Sequence, residues 1–98
     1  MKYEEINLID NKEQHNFELW IEGMRSFIDY KIEGEKIYLF HTEVPRELEG
    51  KGIASALAEK TLRYIEEQQL KLVPLCTYVQ SFLKRHPEWM RLVNDNKY

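Results

Sequence analysis

The sequence predicts an α/β (α+β) fold: a compact, mostly antiparallel sheet of about five strands containing one parallel pair, with two main helices. Three observations predict it. Between residues 16 and 33, apolar and polar side chains alternate with a period of two, as in strands that bury one face. Between residues 53 and 68, apolar side chains recur at the i, i+3, i+4, i+7, i+8 spacing of an amphipathic helix. A glycine turn joins the strand-like and helix-like halves, and a helix that crosses between strands returns the chain parallel to the strand it left. The 98 residues suit one domain over 1–98, since a chain of this size buries roughly 60–65% of its unfolded surface.

Taken in order, Lys2 to Ile9 and Asn16 to Glu22 are expected as strands around the polar turn Asp10-Asn11-Lys12. In the second, Phe17, Leu19 and Ile21 point to the core, while Asn16, Glu18 and Trp20 alternate with them. Gly23 ends it. Arg25 to Glu33 follows as a third strand with Ile28, Tyr30 and Ile32 on one face, and Glu33-Gly34-Glu35-Lys36 forms a hairpin turn. Ile37 to Val44 is apolar on both faces, which predicts an inner strand covered on both sides, stopped by Pro45 because proline has no N–H. The helix from Ile53 to Gln68 turns Ala54, Leu57, Ala58, Thr61, Leu62 and Ile65 inward and leaves Glu59, Lys60, Arg63, Glu66 and Glu67 wet. Leu70 to Val73 is a short strand parallel to the fourth. Thr77 to His86 is a second helix with Tyr78, Val79, Phe82 and Leu83 inward, closed by Pro87.

The stretch Glu49-Gly50-Lys51-Gly52-Ile53-Ala54 carries the chemistry. A glycine-rich turn entering a helix gathers backbone N–H groups that have no partner in the first helical turn, next to the positive end of the helix dipole. The ligand this corner suits carries phosphate. A dinucleotide fingerprint needs a third glycine where Ser55 stands, and a P-loop needs a Gly-Lys-Ser/Thr end that is absent. What remains is Glu49, Gly52 and Ala54 in the pattern Glu/Gln/Arg-x-x-Gly-x-Gly/Ala.

That pattern resembles motif A of the GNAT superfamily, the acetyl-CoA-dependent N-acetyltransferases. The resemblance continues through His41-Thr42-Glu43-Val44-Pro45, Val73-Pro74-Leu75-Cys76-x-Tyr78-Val79 and His86-Pro87-Glu88-Trp89, so that it spans residues 41–89. Together these blocks are similar to a small stand-alone GNAT-like family of about a hundred residues, one domain in size. The resemblance implies a fold whose parallel strands splay at a cofactor cleft, binding of acetyl-CoA or CoA, and a reactive cysteine after the strand that follows the motif A helix. Thr42, Glu43 and Val44 would present backbone to the peptide-like pantetheine arm. Glu49, Gly50, Lys51, Gly52, Ile53, Ala54 and Ser55 would surround the diphosphate, with Tyr78 as a further cofactor contact. Glu49 stands where larger GNAT enzymes carry Gln or Arg, which sets a negative charge beside the expected diphosphate for Arg46 or Lys51 to offset. The helices that build the acceptor pocket in those enzymes are absent.

Cys76 and His41 are the candidate catalytic pair. A lone cysteine is ordinarily a small buried hydrophobe, but Cys76 lies between a strand and a helix start, where the dipole favours thiolate. An acetyl group passed from CoA to this thiol exchanges one thioester for another and can then move to an amine. His41 is either a hydrogen-bonded histidine of a sheet face or the group that takes a proton from the thiol or the acceptor ammonium. Tyr78 is a core side chain or a cofactor contact, and Lys51 a solvated lysine or a charge for the phosphates. No His/Cys/Asp/Glu spacing suggests a metal.

Composition narrows the partners. One cysteine excludes an internal disulfide, and no apolar run at the amino terminus resembles a signal or membrane segment, so the cytoplasm is expected. A net charge of -3 without a basic cluster argues against nucleic acid. The expected state is a monomer or weak dimer that uses acetyl-CoA and an unidentified amine. Two functions stand: an N-acetyltransferase working through Cys76, or a non-catalytic CoA-binding or protein-interaction module in which Cys76 is packing.

Overall fold

A computed structural model of the protein describes residues 2–94. The strands are β1 (Ile9–Asn11), β2 (Asn16–Ile21), β3 (Met24–Glu33), β4 (Lys36–Glu43) and β5 (Lys71–Pro74), and the helices are α1 (Ile53–Glu67) and α2 (Thr77–Arg85). Short 3-10 turns occupy Arg46–Leu48 and Pro87–Leu92. The five strands form one sheet in sequence order, antiparallel except for β4 and β5, which α1 joins as a parallel pair. This is the predicted mixed sheet with two main helices.

The apolar half of the period-two reading of β2 is met, since Phe17, Leu19 and Ile21 are buried, but Asn16 and Glu18 of the other face are buried too and only Trp20 is exposed. Phe17, Leu19 and Ile21 pack with Ile28, Leu39 and the stripe of α1 that comprises Ile53, Ala56, Leu57, Ala58, Thr61, Leu62 and Ile65. Ala56, not Ala54, completes that stripe. Burying one Leu or Ile side chain contributes about 1.5–3 kcal/mol, against tenths for the Glu59–Arg63 pair one turn apart, so apolar burial holds α1 to the sheet. Helix α2 contributes Val79, Phe82 and Leu83 to the same core.

Three other expectations fail. The first strand is not Lys2 to Ile9: residues 2–5 form turns, and Ile9, Asp10 and Asn11 pair with Glu18, Phe17 and Asn16. Asp10 is therefore a strand residue, and its carboxylate accepts hydrogen bonds from the hydroxyls of Tyr30 at 2.5 Å and Tyr64 at 3.0 Å. Those two phenols select the register that composition hides. Nor is β4 covered on both sides: Ile37 and Leu39 are buried, but Phe40 is 45% exposed and His41 is exposed. Phe40 shares the uncovered face of Tyr38, and a bulge turns His41 to that face as well, since Asp29 pairs with His41 and Tyr30 with Leu39, leaving Phe40 as the extra residue. Ile32, expected beside Ile28 and Tyr30, is 44% exposed at the end of β3.

Candidate functional site

Parallel pairing of β4 with β5 ends at Leu39 and Pro74. Beyond it the N–H groups of Leu75 and Cys76 both donate to the Leu39 oxygen, at 3.0 and 2.8 Å, and the chain turns into α2. β4 continues to Glu43 with β3 on one side and, among the described residues, no strand on the other. The parallel pair thus parts where the sequence places Thr42, Glu43 and Val44.

A cavity of about 420 Å³ opens at this gap. Thr42, Glu43 and Val44 form one wall, Glu49, Gly50 and Gly52 the turn, Ile53, Ala54 and Ser55 the first turn of α1, and Tyr78 closes it from α2. Leu48, buried to 1% and unmarked by any sequence pattern, floors it. Gly50 has φ +81° and Gly52, the N-cap of α1, φ +78°. A Cβ at either position would meet no atom within 4 Å, so glycine is required by the left-handed backbone, not by crowding. The first helical bond is Ala56 N–H to the Gly52 oxygen at 3.1 Å. Among the described residues, none of the main-chain amides from Gly50 to Ser55 donates to a protein acceptor. Free amides, a helix start and open space in front of the glycines fit a diphosphate, and the unpaired edge of β4 fits a peptide-like arm.

Charge at the turn differs from expectation. The Lys51 ammonium lies 3.5 Å from the Glu22 carboxylate, and Lys51 does not line the cavity. Glu43 and Glu49 do.

Cys76 is 3% exposed and is the N-cap of α2, so the expected helix start stands directly after it. Its sulfur is 3.1 Å from the Thr42 hydroxyl, a hydrogen bond in which either atom can donate. His41 and Thr42 are consecutive on β4 and point to opposite faces. The His41 imidazole is 3.2 Å from a Glu43 carboxylate oxygen and stacks edge-on to Phe27, 6.3 Å between centroids. The structure therefore brings Thr42, not His41, to the sulfur. Thr42 had been a candidate only for backbone contacts; the long-range register that joins it to Cys76 has no local signal.

The opposite sheet face is open. Trp20 is 46% exposed there, and the Arg25 guanidinium lies over Phe27 at 4.2 Å. Glu18 is buried among them, accepting hydrogen bonds from Asn11 Nδ2 at 2.9 Å, Trp20 Nε1 at 3.1 Å and Arg25 Nε at 2.6 Å. Among the described residues, no cluster of three His, Cys, Asp or Glu could hold a metal, and no helix is long and apolar enough to cross a membrane.

Comparison with known proteins agrees with this architecture. The solution structure of a GCN5-like protein from Staphylococcus aureus superposes with a TM-score of 0.70 over 95% of this chain and 92% of that one, at 18% sequence identity. Mouse protein NATD1 is 33% identical over 85 residues, 84% of this chain and 77% of the relative. Zebrafish NATD1 is 29% identical over 91% of this chain and 94% of its own length. The profile of the GCN5-related N-acetyl-transferase family matches residues 16–92, which include every strand from β2 to β5 and both helices. This chain belongs to the GCN5-related N-acetyltransferase family.

Proposed function

We propose that the protein binds acetyl-CoA in the gap between β4 and β5 and transfers the acetyl group to an amine by way of Cys76. One observation carries the reading: Gly50, Gly52, Ile53, Ala54 and Ser55, whose amides have no protein acceptor among the described residues, line the same cavity as Thr42, the residue hydrogen-bonded to Cys76. The amides and the start of α1 hold the diphosphate. A helix end contributes at most about 2 kcal/mol, and micromolar affinity requires about 8, so the edge of β4 from Thr42 to Val44 and the Tyr78 side chain supply the rest. When bound, acetyl-CoA supplies an acetyl group activated as a thioester.

Cys76 takes that group on its sulfur, giving up its proton to the departing CoA thiol; the new thioester replaces the old one and nothing is oxidised or reduced. Thr42, which lines the cavity, is hydrogen-bonded to the sulfur and can donate to it as thiolate. An amine then attacks the Cys76 thioester, losing a proton as the sulfur is released. His41 faces away from the sulfur and pairs with Glu43 on the open face, so the proton of the attacking amine passes to solvent and not to His41. The lone reduced thiol suits the cytoplasm, with the protein acting as a monomer or weak dimer.

A second reading rests on the burial of Cys76 and its absence from the cavity wall: a CoA-binding or protein-interaction module without catalysis. Mass spectrometry after incubation with acetyl-CoA separates the two. Transfer through Cys76 gives an acetyl adduct that Cys76→Ser lacks and that an amine panel discharges. Thermal stabilisation by CoA without adduct or turnover identifies the module, and an unchanged melting curve with ligand at a hundred times the expected Kd, where about 2.7 kcal/mol is due, removes both CoA readings.

A further inference from the structure

The segment ahead of β1 pairs with no strand among the described residues, yet one of its side chains reaches the glycine turn. The Tyr3 hydroxyl donates to the main-chain oxygen of Lys51 at 2.8 Å. Tyr3 is half-buried against the core, and its turn is closed by a bond from Ile6 N–H to the Tyr3 oxygen at 3.1 Å. From the other side, Glu22, at the tight turn between β2 and β3, holds the Lys51 ammonium. The residue between the two glycines is thus gripped by side chain and by backbone.

The backbone grip has a directional consequence. The Lys51–Gly52 peptide is trans, and a planar trans peptide sends its C=O and its N–H to opposite sides. Anchoring the Lys51 oxygen to Tyr3 therefore aims the Gly52 N–H away from Tyr3. Gly52 lines the cavity, whereas Tyr3 and Lys51 do not. Glycine on both sides of Lys51 makes that peptide inexpensive to rotate. Unanchored, it can turn the negative end of its dipole toward the place where the free amides collect. We propose that Tyr3 is a positioning residue for anion binding, fixing the Lys51–Gly52 peptide so that the Gly52 amide faces the CoA diphosphate. The inference rests on the CoA reading above.

The test is Tyr3→Phe, which keeps the ring and removes only the hydroxyl. Titration calorimetry with CoA is run on the wild type and the variant, with amide NMR spectra of both in the absence and presence of inorganic pyrophosphate. Loss of one hydrogen bond weakens CoA binding by about three- to tenfold. The variant's ligand-free shift changes are confined to Tyr3 and to Gly50 through Ser55, and its Gly52 amide responds less to pyrophosphate. Equal CoA affinity in the two proteins overturns the positioning role while leaving the CoA reading intact. Shift changes spread across the sheet also overturn it, because they mark a general loosening. A wild type that binds no CoA removes the reading and the role together.

Discussion

The Thr42 hydroxyl and the Cys76 sulfur lie 3.1 Å apart, side chains from a strand and a helix cap separated by 34 positions of sequence. The contact bridges the gap where β4 and β5 part, and it is the polar contact the structure gives the sulfur. In Thr42→Val the shape is kept and the hydroxyl lost, so the Cys76 sulfur loses this hydrogen bond. Acetylation of Cys76 by acetyl-CoA, followed by intact mass against time, is expected to slow about tenfold, the effect of about 1.4 kcal/mol on a barrier. Stability should change by less than about 1 kcal/mol. An undiminished rate would leave Thr42 as a packing residue only.

Gly52 and Gly34 provide a matched pair of backbone positions. Both have positive φ, +78° and +59°, and neither has an atom within 4 Å of an added Cβ. Alanine at either is expected to cost about 1–2 kcal/mol through the left-handed backbone alone, which lowers Tm by about 5–10 °C in a domain of this size. Gly52 caps α1 at the cavity, whereas Gly34 sits in the turn between β3 and β4. CoA affinity should therefore fall for Gly52→Ala and hold for Gly34→Ala at equal loss of stability. Equal affinities would show that the turn does not bind the ligand.

Much of this corner was legible because its determinants are local. Two glycines one residue apart announce the left-handed turn, and the apolar spacing from Ile53 to Ile65 announces the helix and the face it buries. What stayed hidden depends on register and distance. Strand β1 begins at Ile9 because Tyr30 and Tyr64 share the Asp10 carboxylate, and neither tyrosine is near it in sequence. One face of β4 is open at Phe40, 45% exposed, though the run of Tyr38, Leu39 and Phe40 reads as apolar on both. Plain alternation from Leu39 would give the place beside Cys76 to His41; the bulge at Phe40 reverses the alternation and gives it to Thr42. Tyr3, in a segment expected as strand, reaches Lys51 across the whole first half of the chain.

Glu18 makes acid stability a measurable property of the open sheet face. Its burial alone would raise the carboxyl pKa, but the hydrogen bonds from Asn11, Arg25 and Trp20 and the charge of Arg25 outweigh that and hold it below the ordinary value of 4.5. The folded carboxyl thus binds protons less readily than the unfolded chain does. Its contribution to stability is full above the unfolded value and is lost as pH falls through the folded one. Glu18→Gln should be less stable than wild type at pH 7, with the difference between their urea midpoints shrinking below about pH 4.5. A difference that stays constant to pH 3 would show that the carboxylate charge contributes nothing.

Glu49 puts an uncompensated charge on the cavity wall. It is exposed beside Gly50, and among the described residues no cation pairs with it. Lys51, the nearest lysine in sequence, is engaged with Glu22. A bound diphosphate would bring further negative charge to the same turn, and two like charges near a protein surface repel by up to about 1 kcal/mol after solvent screening. Glu49→Gln, which keeps the shape of the side chain and removes its charge, should therefore bind CoA up to about fivefold more tightly. The gain should be greatest at low ionic strength and shrink as salt brings the Debye length to about 8 Å and below. Calorimetric titrations at two salt concentrations measure both effects. Weaker binding by Glu49→Gln would mean that Glu49 makes a favourable contact with the ligand, and a gain independent of salt would assign it to something other than charge.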